Sequence, residues 1–332
     1  MRAVVIDQPG PVENFRLAQI DPPAPGPGEV QVRVRAASVN PIDLYIRSGT
    51  VPMSLPLPFS SGCDFAGEVS ALGQGVSGFK LGQRVWGSNQ GLLGRQGTLR
   101  EYIAVASGFV YPSPDGVSDE TLAGSALTGI TAHLALFANG ALKAGDKVVI
   151  QGGSGGVGSM AVQMARIGGA KVATTVRDAA KAQLAQSLGA EKTVLFGEEI
   201  YTPLRDWAAP SGIDVWLETQ REPDFLNIVP GMAARGRIVI LAGRTAQPVF
   251  PVGPFYIKGL TLKGFAMFNA TPKEQAVCAA DMGKWLASGA LTCPVGKVFE
   301  LEQAAEAHRF LAENTLGFAG ALTGKVVIRI EG

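Results

Sequence analysis

Apolar and polar residues alternate over the first third of the chain. In Glu29–Ala36, Val30, Val32 and Val34 alternate with polar residues, which is the period of a strand with one buried face. Similar short segments, separated by glycine-rich turns, recur at 66–72, 84–86 and 100–105. This rhythm predicts an antiparallel or barrel-like β domain over residues 1–120.

From residue 122 onward, helical periodicity alternates with short apolar runs. The segment 122–139 is predicted to be helical and to carry the chain into a second domain. The alternation that follows is typical of a doubly wound parallel sheet. Strands are predicted at 147–151, 171–176, 192–196, 213–218, 236–242 and 260–265, with helices at 156–167, 178–188, 200–208 and 223–234.

The last segments predict a return to the first domain. Helices are predicted at 273–288 and 301–311, followed by a strand at 325–330. The 332 residues also fit two domains, at a soft prior of ~150 residues each. The predicted domains are therefore 1–123 with 266–332, and 124–265 inserted between them.

A glycine-rich turn follows the first strand of the second domain. Gly153, Gly155 and Gly158 have the spacing G-x-G-x-x-G, which permits a tight turn and close approach of the backbone to a pyrophosphate. The pattern alone is weak in a chain with 43 glycines, but its place between an apolar strand and a helix strengthens it. We predict a dinucleotide site here; the alternative is a turn that only permits tight packing.

Composition agrees with a globular enzyme and excludes several other classes. Apolar residues make up 46% and charged residues 17%, and no apolar run approaches the ~20 residues of a membrane span. The N-terminus reads as a strand and not as a signal peptide, so a cytoplasmic protein is expected. A net charge of +1 does not indicate the basic surface that binds nucleic acid. The three cysteines match neither a disulfide framework nor the spacing of zinc ligands. The expected partner is thus a small molecule, with no nucleic acid or membrane.

Several segments together carry a resemblance to a known family. They are Val39–Gly49, Leu127–Ala132, Gly153–Gly158, Glu306–His308 and Thr323–Val327. In these the chain resembles the zinc-free quinone oxidoreductases, the zeta-crystallin-like branch of the medium-chain dehydrogenase/reductase superfamily. The resemblance implies an α/β protein in which a Rossmann domain is inserted into a GroES-like β-rich catalytic domain. It also implies hydride transfer from NADPH.

The resemblance assigns catalytic roles to residues near the first long strand. It implies that Asn40 and Tyr45 lie near the nicotinamide and that Thr128 contacts its carboxamide side. Asp43 belongs to the same polar segment, and we include it among the candidate catalytic residues. Taken alone, Asn40-Pro41 with Asp43 also has the chemistry that starts a helix.

The zinc ligands of related enzymes are replaced in this chain. Asn40 stands at the cysteine position, and Cys63-Asp64 stands where the family has a His-Glu pair, without a third ligand. We therefore expect no metal and an acceptor that is already electron-poor, such as a quinone, with Tyr45 as candidate proton donor or substrate-orienting group. The alternatives are an NADPH-dependent reductase of enones or enoyl thioesters and a low-turnover NADPH-binding protein.

The end of the second strand of the inserted domain indicates the cofactor. An NAD enzyme usually has an acidic residue there, whereas this chain has Thr175-Val176-Arg177, with Lys181 one turn later. Both cations suit a 2′-phosphate, although the adjacent Asp178 argues mildly against this. The relatives' tyrosine is replaced by Phe196. The predicted cofactor-binding residues are Thr128, Gly153, Ser154, Gly155, Gly156, Val157, Thr175, Arg177, Lys181, Phe196, Ala242, Gly243, Phe265 and Met267.

Two further expectations concern assembly and substrate. The resemblance implies a homodimer through the nucleotide domain, with the apolar Leu260–Phe268 pairing strand to strand with its mate. The loop 91–97 carries Arg95, which is able to meet an anionic substrate.

Overall fold

The structure, a computed structural model, describes residues 1–197, 199–315, 317 and 322–331. The chain divides into two compact units, Met1–Leu127 with Thr271–Gly332, and Thr128–Ala270. The two boundaries therefore lie at 127/128 and 270/271, against the expected 123/124 and 265/266.

The first section of unit 1 contains short strands and one helix. Its strands are β1 (Arg2–Val5), β2 (Arg16–Gln19), β3 (Glu29–Val39), β4 (Asp64–Leu72), β5 (Arg84–Gly87), β6 (Tyr102–Ala106) and β7 (Val110–Pro112). Helix α1 (Pro41–Ser48) follows β3 directly. It begins there because Pro41 suits the first turn and the Asp43 carboxylate accepts a hydrogen bond from the Asn40 amide at 2.7 Å.

A long apolar helix carries the chain from unit 1 into unit 2. Helix α2 (Asp119–His133) continues as a π-helical segment over Leu134–Asn139. Within the 21 residues from Asp119 to Asn139, the most apolar 18-residue window has a mean hydropathy of 1.4, so the helix is long and apolar enough to cross a membrane, but 78% of that window is buried within the fold. That burial accounts for the apolar composition of the helix.

Unit 2 alternates strands with helices. The strands are β8 (Lys147–Ile150), β9 (Lys171–Val176), β10 (Lys192–Leu195), β11 (Ile213–Glu218), β12 (Met232–Ile240) and β13 (Thr261–Gly264). The helices are α3 (Gly156–Ile167), α4 (Ala179–Ser187), α5 (Tyr201–Ala208), α6 (Phe225–Gly231) and α7 (Val252–Ile257).

The sheet of unit 2 has the strand order β10-β9-β8-β11-β12-β13, and every neighbouring pair is parallel. The predicted doubly wound sheet is thus confirmed, and its strand order is that of the Rossmann fold. The sequence prediction missed α7 and started β12 four residues late, at 236 and not at 232. Side chains of β11, α5 and α6, including Trp216, Leu204 and Ile228, form the core on one face.

The chain then returns to unit 1. It forms α8 (Pro272–Ala287), β14 (Val295–Glu300), α9 (Ala304–Thr315), which a 3-10 turn at Leu301–Gln303 precedes, and β15 (Lys325–Arg329). The sequence prediction missed β14 because four of its six residues are exposed and show no apolar alternation. It also missed the short strands β2 and β7.

These elements complete a seven-stranded sheet with the order β14-β15-β3-β4-β5-β7, in which β6 also pairs with β3. The predicted alternation in β3 is confirmed, since Val30, Val32 and Val34 are all buried in the core of this unit. Strand β15 runs antiparallel to β3, with Val326 opposite Val39. This register brings the beginning of β15 beside the end of β3, where α1 begins.

Candidate functional site

The Asn40 side chain lies in a buried polar cluster where β3 passes into α1. Its Nδ2 donates a hydrogen bond to Asp64 Oδ2 at 2.8 Å, and its Oδ1 accepts one from Lys325 Nζ. Asn40 is fully buried, and Lys325 is only 7% exposed. The amide is therefore held from both ends, which fixes its orientation.

Asp64 is the acceptor at the centre of this cluster. Its Oδ2 also accepts from Ser38 Oγ at 2.7 Å, and its Oδ1 accepts from Ser88 Oγ at 2.6 Å and from the Leu127 amide at 3.0 Å. Burial raises the pKa of Asp64, while the charge of Lys325 and the hydrogen bonds oppose that rise. With two donors on each oxygen and a cation nearby, the arrangement suits an ionised carboxylate.

Asp43 and Cys63 form a second buried pair beside this cluster. Asp43 Oδ1 accepts a hydrogen bond from Cys63 Sγ at 3.0 Å, and its Oδ2 accepts one from the backbone N–H of Asn40. Burial raises the pKa of Asp43 to about 7, and the neighbouring charge of Asp64 adds to the rise. Burial and the two carboxylates raise the pKa of the Cys63 thiol well above its usual value, so the thiol is protonated.

The donors of this cluster do not fit a zinc ion. Zinc sites use cysteine as a thiolate, whereas in this structure Cys63 Sγ is engaged as a hydrogen-bond donor to Asp43. Both oxygens of Asp64 are already occupied by hydrogen bonds, and Asn40 replaces a soft ligand with an amide. Within the described part of the chain, no group of three or more His, Cys, Asp or Glu side chains has a metal-binding arrangement.

The other polar residues of α1 lie apart from the cluster. Tyr45 is half-buried, and its hydroxyl forms no hydrogen bond with any described residue. Arg47 donates through Nη1 to the Gly10 carbonyl at 2.5 Å. The first turn of the helix therefore brings Asn40 and Asp43 together, whereas Arg47 has a separate partner, the Gly10 carbonyl.

The glycine turn of unit 2 connects β8 to α3. A Cβ atom on Gly153 would lie 2.1 Å from Thr174 Oγ1, and one on Gly158 would lie 2.1 Å from the Gly152 carbonyl oxygen, so neither position admits a side chain. At Gly155 the nearest atom would be 3.3 Å away. Gly155 is exposed and is the residue immediately before α3, so the turn leaves this side open for a ligand.

The amides after Gly155 are suited to an anion. The first amides of any α-helix have no partner within the helix, and those of Gly156, Val157 and Gly158 donate to none of the described residues. Together with the helix dipole, they form a site for negative charge at the N-terminus of α3. Ser154 lies in the same turn and is half-buried.

Thr175 supports the turn through its hydroxyl. Its Oγ1 accepts a hydrogen bond from the Gly152 amide at 2.9 Å and donates one to Gln151 Oε1 at 3.0 Å. Gln151 Nε2 in turn donates to Glu218 Oε2 at 3.4 Å. Burial raises the pKa of Glu218 to about 7. The hydroxyl of Thr175 is thus occupied within the protein.

Most of the remaining predicted cofactor residues follow the carboxyl ends of the parallel strands. The exceptions are Lys181, in the first turn of α4, and Thr128, which is buried on α2 at the boundary of the units. Since ligands bind at this edge of a doubly wound sheet, the placement agrees with a cofactor site. The residues that follow strand ends are Arg177 after β9, Phe196 after β10, Ala242 and Gly243 after β12, and Phe265 and Met267 after β13.

Sequence reasoning missed three residues of these sites, namely Lys325, Gln151 and Glu218. Lys325 lies in the segment Thr323–Val327, which carried part of the family resemblance but received no role. Glu218 ends an apolar strand, and an acidic residue in that position was the available signal.

Comparisons with known proteins identify the family. The family profile of the alcohol dehydrogenase GroES-like domain matches residues 26–115, and that of the zinc-binding dehydrogenases matches residues 156–283. Quinone oxidoreductase from Sus scrofa is 33% identical over 330 residues, which are 99% of this chain and 97% of the relative. The chain belongs to the quinone oxidoreductase branch of the medium-chain dehydrogenase/reductase superfamily and is an oxidoreductase.

Two solved structures share the fold over the whole chain. An NAD-dependent alcohol dehydrogenase superposes with a TM-score of 0.87 at 29% identity and covers 100% of both chains. Escherichia coli quinone oxidoreductase, solved in complex with NADPH, superposes with a TM-score of 0.85 at 25% identity and covers 99% of this chain and 100% of its own.

Proposed function

We propose that this protein transfers hydride from NADPH to a quinone or a similar electron-poor acceptor and that it does so without zinc. The observation that carries the proposal is the buried cluster of Asn40, Asp64 and Lys325. Asn40 and Asp64, which stand at positions where zinc-dependent relatives have metal-site residues, are hydrogen-bonded to each other, and Lys325 donates to Asn40. The quinone oxidoreductase of Sus scrofa, similar over 99% of this chain, supports the class of acceptor.

The cofactor is NADPH, in agreement with the cofactor bound to the E. coli relative. The similarity to an NAD-dependent dehydrogenase points the other way, and the end of β9 decides between them. Burial lowers the pKa of Lys181, the neighbouring charge of Asp178 opposes that shift, and the charge of Arg177 adds to it, so these three side chains lie near one another. Asp178 is occupied as the cap of α4, since its Oδ1 accepts the Lys181 amide at 2.8 Å.

The cap of α4 uses one oxygen of the Asp178 carboxylate, and the two neighbouring cations favour a 2′-phosphate. Each charge-assisted hydrogen bond to such a phosphate contributes ~1.5–3 kcal/mol. Gly156 and Val157 offer their amides to the pyrophosphate, and the open side of Gly155 allows its approach.

When bound, NADPH supplies the hydride. The chain's own contribution is positioning: Asn40 presents an amide that Asp64 and Lys325 hold in one orientation. Tyr45 has a hydroxyl without a partner among the described residues, and we assign it to orienting the acceptor or donating the proton.

We further propose a homodimer through the edge of the unit 2 sheet. Strand β13 is the outer strand, so one side of its backbone has no neighbouring strand among the described residues. The adjacent α7 region exposes large apolar side chains, with Val252 at 64%, Tyr256 at 69% and Ile257 at 73%. Exposed apolar groups beside a free sheet edge are typical of an interface between copies.

The test is an NADPH-consumption screen with quinones, enones and enoyl thioesters as acceptors. Turnover of quinones at higher kcat/KM than the other two classes supports the proposal. Preference for an enone or thioester would assign the alkene reductase activity, and tight NADPH binding without turnover would assign a binding protein. Stoichiometric zinc in the purified protein would contradict the zinc-free reading.

The cofactor assignment has its own variant. Arg177→Ala is expected to raise the KM for NADPH at least tenfold and to leave that for NADH nearly unchanged, because one phosphate contact is lost. Lys171→Ala removes an exposed cation from the opposite end of the same strand and serves as the matched control. Equal losses with both cofactors would refute a role for Arg177 at the 2′-phosphate.

A further inference from the structure

The loop between β5 and β6 is firmly anchored to the rest of unit 1. The Gln90 amide donates to the Cys63 carbonyl at 3.2 Å, and the Gly91 amide donates to the Gln96 carbonyl at 3.0 Å. The Gln96 side chain accepts the Ser60 amide at 2.9 Å and donates to the Pro56 and Pro58 carbonyls at 2.6 and 2.9 Å. The loop therefore holds its side chains in fixed places.

Arg95 projects from this loop with its guanidinium group fixed at one end only. Its Nε donates to the Asn89 carbonyl at 2.8 Å, and its Cζ lies 5.5 Å from the centre of the Phe109 ring. Neither Nη1 nor Nη2 donates to any described residue, and no described carboxylate lies within ion-pair distance. Nη2 is buried without a partner.

Two other arginines of unit 1, Arg84 and Arg100, have more complete sets of partners than Arg95. Arg84 pairs with Asp119, and Arg100 donates through Nε and Nη2 to Ser60 and through Nη2 to Gln96. Burying a charged donor without a partner is unfavourable, so such groups normally bind a partner. A guanidinium that is stacked on an aromatic ring and held through Nε presents its Nη pair as a fork, the geometry that binds an oxyanion.

The surroundings of Arg95 are polar and lie beside the Asn40 cluster. Three buried side-chain oxygens have no hydrogen-bond partner among the described residues: Asn89 Oδ1 and Thr98 Oγ1 in this loop, and Ser61 Oγ in the segment before β4. Ser88, which precedes Asn89, donates to Asp64, and the backbone N–H of Gln90, which follows Asn89, donates to the Cys63 carbonyl. An anion at Arg95 would therefore lie near the residues that we assign to the reaction.

We propose that Arg95 and Phe109 form a binding site for the oxyanion, a carboxylate or a phosphate, of a small-molecule acceptor. That the anionic group belongs to the acceptor depends on the proposed function. That an anion binds at Arg95 does not depend on it. The proposal narrows the substrate class from electron-poor acceptors in general to those that carry a negatively charged group.

The first experiment measures binding without turnover. Benzoate and phenyl phosphate are titrated calorimetrically into the NADPH-saturated protein, with benzyl alcohol as the neutral probe. We expect at least one anion to bind tenfold more tightly than the alcohol, and the stronger of the two identifies the oxyanion. Arg95→Gln is expected to abolish this preference, and Arg95→Lys to retain part of it, because the charge remains while the fork is lost.

Two variants control this experiment. Lys80→Gln removes an exposed positive charge from the same unit and is expected to leave anion binding unchanged. Arg177→Ala tests whether the anions bind at the cofactor's phosphate site instead. Loss of anion binding in Arg177→Ala with its retention in Arg95→Gln would overturn the proposal, as would equal binding of the anions and benzyl alcohol by the wild-type protein. Melting temperatures establish that each variant is folded.

The second experiment asks whether the anion belongs to the acceptor. The ratio of kcat/KM for 1,2-naphthoquinone-4-sulfonate to that for 1,2-naphthoquinone is compared between wild type and Arg95→Gln, so that the difference in redox potential cancels. A tenfold fall in this ratio supports the assignment. An unchanged ratio, with anion binding still dependent on Arg95, would overturn the acceptor assignment alone. Absence of turnover with both quinones would contradict the proposed function while leaving the binding result interpretable.

Discussion

Replacing Lys325 with methionine removes the positive charge from the buried cluster and keeps a side chain of similar length. Lys325 is 7% exposed, and its Nζ donates a hydrogen bond to Asn40 Oδ1. Burial raises the pKa of Asp64, and the charge of Lys325 opposes that rise. Removing one partner of a buried charge pair costs about 3–5 kcal/mol. At roughly 2–4 °C for each kcal/mol, the melting temperature at pH 8 is expected to fall on the order of 10 °C.

The loss should depend on pH in a defined direction. Without Lys325 the pKa of Asp64 in the folded state rises further, whereas an unfolded aspartate ionises near ~3.9. Between these two pKa values the folded variant binds more protons than the unfolded chain, so its stability falls as pH rises. The deficit of Lys325→Met relative to wild type is therefore expected to be smaller at pH 5 than at pH 8.

Urea unfolding followed by circular dichroism at both pH values measures this deficit. Lys297→Met, on the neighbouring strand β14, is the control, because Lys297 is exposed and only lies over the rings of Phe299 and Phe310 at 4.6 and 4.5 Å. The double variant with Asp64→Asn is expected to lose less stability than the sum of the single variants, since both remove the same interaction. Strict additivity, or an equal deficit at pH 5 and pH 8, would refute the coupling of Lys325 to Asp64.

Three further predictions concern other parts of the molecule. Burial, with a contribution from the charge of Arg47, lowers the pKa of His308 to about 3, and neither ring nitrogen has a partner among the described residues. The unfolded chain therefore binds more protons than the folded protein between about pH 3 and 6.5. Wild type should therefore lose about 2 kcal/mol more than His308→Phe when the pH falls from 7 to 5, and parallel urea curves for the two proteins would contradict this. At the glycine turn, Gly158→Ala places a Cβ atom 2.1 Å from the Gly152 carbonyl oxygen and should lower the melting temperature. Gly155→Ala, whose Cβ atom has its nearest contact at 3.3 Å, should keep the fold and weaken NADPH binding at least tenfold. The reverse ranking of the two variants would disprove the separate roles of these glycines. Ile257→Lys places a charge on the exposed apolar surface of α7 and should convert the proposed dimer into monomers, as measured by size-exclusion chromatography with light scattering. A mass equal to that of the wild type would rule out an interface there.

The fold and the cofactor unit were largely predictable from sequence, because the signals that specify them are local. The alternation of Val30, Val32 and Val34 marks β3 by itself, since a strand with one buried face repeats every second residue. Gly153 and Gly158 mark the turn between β8 and α3, because contacts within about 25 residues of each leave no room for a side chain. Comparison of the sequence with the family pattern also reveals, at Asn40 and Cys63, the replacement of the zinc ligands.

The arrangement of the Asn40 cluster required the tertiary structure. Lys325 is 285 residues away from Asn40 along the chain, and only the antiparallel register of β15 against β3 brings them together. Asp64 likewise meets the Leu127 amide across 63 residues. No local pattern encodes such contacts, because they depend on how distant segments of the chain pack together.

The same distinction applies to the roles of individual side chains. The sequence predicts that Thr175, at the end of a strand, binds the cofactor, whereas the structure shows its hydroxyl hydrogen-bonded to Gly152 and Gln151. Arg95 was visible in the sequence as a cation in a glycine-rich loop, and only the structure revealed that its Nη atoms have no described partner. Sequence determines which residues are available and in which element they lie, because propensity and periodicity act locally. Which of their hydrogen bonds are already satisfied is decided by tertiary packing, because the partners come from distant parts of the chain.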